Sequence, residues 1–267
     1  MMTLWPQWRL RALTLLASLV LSACGSTFVD SRDATAEQVY ADAKVDMENG
    51  AFDSAIKSLA RVEALGGGTL LSQQAQLDLA YVQWRTGDRT AAIATLDRFV
   101  KFNPSSPALD YALYLRGLVN FNDDLGLFGF ISRQDLSERD QQASRDAWQA
   151  FKQLSDQFPE SKYTPDAQVR MAYIVNALAS HEVHVARYYY RRGAFVAAAN
   201  RAQRAVSEFQ NSPSAEEALY ILAQSYDQLG LDELRDGADR VLKQNFPDSR
   251  FLVGGLRQPD RAWWQFW

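Results

Sequence analysis

Apolar positions along this chain recur at helical spacing, and the spacing restarts after glycine. Gly87 is followed by Ala92, Leu96 and Phe99, and then by Pro104. Gly50 repeats the offsets with Ala55, Leu59 and Val62, and Gly193 with Ala198, Ala202 and Ala205. Another unit lacks the glycine but keeps Ala147, Phe151, Leu154 and Pro159, while Gly230 precedes Pro247 at the distance that separates Gly87 from Pro104. The residue types have physical reasons. Glycine takes the left-handed backbone that turns one helix into the next. A small residue five positions on lets the second helix approach the first, larger apolar residues fill the groove, and proline stops the helix. No stretch alternates with period two, so no sheet is predicted.

Gly50 to Gly87 and Gly193 to Gly230 are each 37 residues apart, close to the ~34 of a tetratricopeptide repeat. The pattern therefore predicts an all-α tetratricopeptide-repeat (TPR) solenoid of about five helix pairs. Leu79-Ala80, Arg116-Gly117 and Leu222-Ala223 occupy the large-small pair expected in first helices, with Arg116 the odd member. Ser106-Pro107, Thr164-Pro165 and Ser212-Pro213 each put a hydroxyl before a proline suited to the first helical turn, and Thr35 with Gln38 reads as a capping box.

Two features interrupt the array. Residues 122–140 form an insertion within the third pair, and Pro165 to Arg192 reads as one long helix. The organisation that follows is a front half over 35–164 (repeats 1–3), a long linking helix and back half over 165–250 (repeats 4–5), and an aromatic tail over 251–267.

The start of the chain changes the picture. Arg9 and Arg11 precede an apolar region of ten residues, Ala12 to Leu21, too short for a bilayer-spanning helix, which needs about 20. This is a secretory signal. It ends in Leu21-Ser22-Ala23-Cys24, which resembles the lipobox of bacterial lipoproteins and contains the only cysteine. Residues 1–23 then read as a lipoprotein signal peptide, Cys24 as the acylated (palmitate-bearing) first residue, and 24–34 as a tether. The plainer alternative is an ordinary signal peptide with Cys24 incidental. Ser26, with no Asp beside Cys24, fits sorting to the outer membrane, so the expected location is the outer membrane, lipid-anchored and facing the periplasm.

Losing the two leader arginines moves the net charge from −4 to −6, which argues against a nucleic-acid surface. About 240 residues remain, enough for a core without disulfides. His181-Glu182-Val183-His184 spaces its histidines three apart, not the four of a zinc-protease helix, and reads as the polar face of the long helix. The acids Asp123, Asp124, Asp135, Glu138 and Asp140 lack the spacing of a calcium loop. No catalytic set, metal site or cofactor site is predicted; this is not expected to be an enzyme.

"LDLAYVQWRTGD", "LDRFVKFNP", "DYALYLRGL" and "YYYRRGAFVAAANRAQ" resemble the BamD (ComL/YfiO-like) family of outer-membrane lipoproteins over about residues 35 to 250, and "DDLGLFGF…SERD" fits that family's insertion. One departure is "VEALGGGTLLS", where many relatives carry an "RYPFGPYS"-like turn. The resemblance implies a scaffold in the β-barrel assembly (BAM) complex, with BamA, the other BAM lipoproteins and unfolded outer-membrane β-barrel proteins as partners. Its back repeats would hold the POTRA domains of BamA. Arg201 carries over as the salt-bridge partner of an acidic POTRA residue; Arg192 and Arg204 are added only for their nearness in sequence. The front repeats would receive the clients' C-terminal targeting strand. Counting back from the turn glycines to the groove positions of the repeat gives Tyr40, Lys44, Met47, Leu77, Tyr81 and Trp84, and the third unit gives Tyr114, Leu118 and Phe121. Aromatics suit an extended apolar peptide because they bury large area at small entropic cost. A peptidoglycan-associated or competence-related lipoprotein is the alternative.

Overall fold

The computed structural model describes residues 34–121 and 141–256. Cys24, the insertion 122–140 and the tail beyond Leu256 lie outside the described residues, so the expectations for them are not addressed by the fold.

Among the described residues every regular element is a helix. They are α1 (Ala36–Glu48), α2 (Phe52–Gly66), α3 (Leu70–Arg85), α4 (Arg89–Phe102), α5 (Leu109–Asn120), α6 (Gln141–Gln157), α7 (Thr164–Arg191), α8 (Phe195–Glu208), α9 (Ala215–Gln228), α10 (Asp232–Asn245) and α11 (Arg250–Gly254). Each of α1 to α10 packs on its neighbours in sequence. The first helices of successive pairs also touch, α1 on α3, α3 on α5 and α7 on α9. Five helix pairs in a row, contacting only near neighbours, make a TPR-like solenoid. Gly50, Gly87, Gly193 and Gly230 stand between the helices of four pairs with φ of 73°, 87°, 75° and 70°, the left-handed backbone that other residues adopt at a cost.

A serine opens each described unit from the third onward. Ser106, Ser161, Ser212 and Ser249 accept hydrogen bonds through their hydroxyls from the backbone N–H two residues on, at 3.2–3.3 Å. The backbone N–H of each also closes a turn on the residue three before it. Thr164 was expected to cap α7 and does not. It lies inside the helix, where its hydroxyl donates to the Phe158 carbonyl at 2.7 Å, and Ser161 does the opening instead. The same signature at Ser249 opens α11, which is held by Phe251 stacked on Tyr220 at 5.5 Å.

The core falls into three clusters. Val39, Leu59, Val62 and Leu79 fill the N-terminal one, and Leu96, Phe99, Leu113, Phe151 and Leu154 the central one. The back cluster is mostly alanine: Ala186, Ala198, Ala202, Ala205, Ala218 and Ala223 surround Ile221. Small side chains let α7, α8 and α9 approach closely. Phe209, just past α8, is buried in the central cluster rather than the back one, so the two halves interlock at α7. Leu77 belongs to the central core at 1% exposure and lines no groove. Its helix, α3, is covered along an unbroken run from Ala75 to Ala80, and its partly open aromatics, Tyr81 and Trp84, come after that run.

Candidate partner-binding surfaces

The front half presents a row of aromatic residues across four first helices. On α1, the Tyr40 hydroxyl donates to Asp78 of α3 at 2.7 Å, with Lys44 3.5 Å from the same carboxylate. One and two turns on from Asp78 lie Tyr81 and Trp84, edge to face at 6.2 Å; Arg85 lies over the Tyr81 ring and donates to its hydroxyl at 2.9 Å. On α5, Tyr111 and Tyr114 both meet Tyr163, at 5.5 and 4.8 Å between ring centroids, and Tyr114 donates to Asp166 of α7 at 2.7 Å. Phe121 closes the row between Tyr173 and the Arg170 guanidinium, 5.9 and 5.0 Å away. Tyr40, Tyr81, Trp84, Tyr114, Leu118 and Phe121 are all partly open to solvent.

Of the nine positions counted from the repeat register, eight are partly open and Leu77 is buried; beside it the buried carboxylate of Asp78 reaches the row through Tyr40. Tyr111 and Tyr163 were missed by the repeat register. Tyr111 is one turn before Tyr114, so helical spacing from Tyr114 contained the signal for it; Tyr163 precedes its helix, where no register applies. The electrostatics of the row are one-sided. Burial, then the fields of Asp78, Tyr163, Tyr81 and Tyr114, push the Tyr111 phenol up to about 12. Burial and the bond to Asp78 push Tyr40 up as well, and burial and the bond to Asp166 raise Tyr114. These phenols stay neutral and keep their hydroxyls as donors.

Asp166 is balanced differently. Burial alone would raise its carboxyl, but hydrogen bonds from Arg170 and Tyr114 outweigh it and leave the group below the ordinary carboxylate value. A depressed pKa adds stability that is present above the unfolded value, roughly pH 4, and lost as pH falls through the folded one. Melting curves of the wild type and Asp166→Asn should therefore lie furthest apart near neutrality and converge as pH falls below about 4.

The second surface lies where α7 meets α8. Glu182 is 1% exposed, and two guanidiniums reach it from α8: Arg201 at 3.1 Å and Arg204 at 3.6 Å, their side chains 37% and 48% exposed. Arg204 also lies 3.8 Å from Glu208, which lies 3.9 Å from Arg145 of α6. Arg192 does not join them; it caps the end of α7 with its guanidinium over Tyr188 at 5.5 Å. Further along, Arg187 grips Glu217 with two bonds of 2.5 and 2.7 Å, tying α7 to α9. The expected polar face at His181–His184 needs correcting, since Glu182 and Val183 point inward and are buried while His184 is exposed. Among the described residues no group of three His, Cys, Asp or Glu is placed to hold a metal.

A family model described as "Outer membrane lipoprotein" (YfiO) matches residues 32–242. This chain belongs to the BamD/YfiO family. Relatives named "Outer membrane protein assembly factor BamD" include those of Neisseria meningitidis serogroup A and Neisseria gonorrhoeae. Both are 40% identical over 261 residues, which is 96% of this chain and 98% of each relative. A BamD of Xylella fastidiosa is 35% identical over 218 residues, 82% of this chain and 74% of that one. Among solved structures, MamA is similar at 18% identity and a TM-score of 0.34, over 84% of this chain and 98% of that one, too loose to bear on function. As a member of the BamD/YfiO family the chain is an assembly-factor scaffold and not an enzyme. Among its described residues no helix is long and apolar enough to cross a membrane.

Proposed function

We propose that this chain is the lipid-anchored, periplasm-facing scaffold subunit of an outer-membrane β-barrel assembly complex. Its back repeats hold the POTRA region of the barrel-forming subunit BamA, and its front repeats receive the C-terminal targeting strand of client barrels. Acyl chains on Cys24 supply the attachment, each buried methylene contributing about 0.8 kcal/mol.

The observation that carries the reading is the aromatic row of the front half, on a chain whose relatives are named for outer membrane protein assembly. Tyr81, Trp84, Tyr111, Tyr114 and Phe121 offer ring faces flanked by hydroxyls and carboxylates. Rings grip apolar side chains of an extended strand, and the polar tips satisfy its backbone. On the back half, Arg201 and Arg204 keep part of their guanidiniums in water while Glu182 holds them in place, a preset contact for an acidic partner residue.

Capture of the tagged full chain from detergent-solubilised outer membranes tests this. Co-purification of the barrel-forming subunit is the expected result, and recovery of murein fragments alone would overturn it in favour of a cell-wall role. In the same strain Cys24→Ala should move the chain from the outer-membrane to the soluble periplasmic fraction.

A further inference from the structure

A cleft of about 280 Å³ opens where α6, α7 and α8 meet. Its floor is apolar, made by Val175 and Leu178 of α7 and by Phe209, with Trp148 of α6 as a wall. Arg145, Gln149 and Glu208 form its rim. The cleft is at the bottom edge of the roughly 300–1,000 Å³ of small-molecule sites. Among the described residues no buried side-chain nitrogen or oxygen lacks a partner, so nothing in the floor calls for a polar ligand. The size and lining suit one large apolar side chain, the way a binding hot spot seats its anchor in a pocket behind a polar rim.

Charge says what stands beside that anchor. The rim is continuous with the α7–α8 cluster through Glu208, which faces both Arg145 and Arg204. Three guanidiniums, those of Arg145, Arg201 and Arg204, share two carboxylates, and one of these, Glu182, is buried. The outward face therefore carries surplus positive charge, which favours a carboxylate on the partner. We infer that this cleft is a socket for a large aliphatic or aromatic side chain of the barrel-forming subunit's periplasmic segment, with an adjacent Asp or Glu of that segment on Arg145 and Arg204. The identity of the partner rests on the reading above; the socket and its chemistry rest on the cleft. Because α6 belongs to the front half and α8 to the back half, a side chain seated there also fixes their relative position.

The test measures binding of the periplasmic segment of the barrel-forming subunit to the full chain in detergent. Val175→Trp fills the socket from its floor, Gln149→Trp covers it from an exposed position, and Arg145→Glu reverses the rim charge. Each should weaken binding about tenfold or more while helical circular dichroism is retained. Should Val175→Trp disturb the fold, the two rim variants carry the test. If Arg201→Ala loses binding and the three socket variants bind like wild type, the socket is overturned and the proposed function stands. If the wild type itself fails to bind, that reading fails, and a photo-crosslinker at Gln149 in the purified complex decides the socket alone. A crosslink to a segment pairing a large apolar residue with Asp or Glu keeps it; no crosslink, or one to a segment without that pair, overturns it.

Discussion

Gly117→Ala should lower the stability of the folded chain by about 2–3 kcal/mol, although alanine is the better helix former by nearly 1 kcal/mol. A β-carbon at Gly117 would lie 2.2, 2.5 and 2.7 Å from three atoms of the Phe151 ring. That ring is fully buried and wedged between Tyr114 and Phe121, 6.2 and 6.3 Å away by centroid. It therefore has no free space to turn into, and relief must come from α5 and α6 moving apart. Overpacking of this kind typically costs about 1–3 kcal/mol; a rigid ring met head-on belongs at the top of that range. Gly237 is the control. It is also helical, but a β-carbon there meets nothing within 4 Å, so Gly237→Ala should stabilise by about 0.5–1 kcal/mol. Urea unfolding of the three proteins checks both signs. A Gly117→Ala midpoint equal to wild type would show that Phe151 yields. Because Tyr114 and Phe121 rest on that ring, the substitution should also disturb the aromatic row that the client strand is proposed to use.

The architecture was legible because most helix pairs repeat parts of one local requirement: left-handed turn, small residue, large residue, stop. Such needs are written within about 20 residues and survive without knowledge of the rest. What escaped depends on several elements at once. α3 is enclosed between α2, α4 and its neighbours in the inner row, so its buried residues run on from Ala75 to Ala80 and no polar stripe marks where the groove begins. One position of register, about 100° around a helix, then exchanges Leu77 for Asp78. Thr164 looked like a cap because it precedes a proline, but the turn from α6 is set by Phe158 and Ser161, and it carries the chain into the helix earlier. Glu182 is the deepest such case. An acid between two histidines looks solvated until α8 lays two guanidiniums over it, from residues 19 and 22 positions away in the chain.

Removing both guanidiniums, with Arg201→Ala and Arg204→Ala together, should destabilise the chain by about 2–3 kcal/mol. Stripping the partner from a fully buried charge costs roughly 3–5 kcal/mol. The figure here is lower because Arg201 and Arg204 are 37% and 48% exposed, and water screens part of the attraction. Either single substitution should cost less than half of the double, since the remaining arginine still faces Glu182 across the same turn of α8. The interaction is therefore non-additive, and a double-mutant cycle in urea should show it. Adding Glu182→Met to the double variant separates charge from packing. It replaces the buried carboxylate by an apolar chain of similar length, which removes the unpaired charge and should recover most of the loss. A triple variant as unstable as the double would mean that the arginine stems, lying along α7, supply the stability through their alkyl groups. The same series bears on the partner. The triple variant is expected to be folded yet without Arg201 and Arg204, so it should fail to hold the barrel-forming subunit for want of the guanidiniums themselves and not of the fold beneath them.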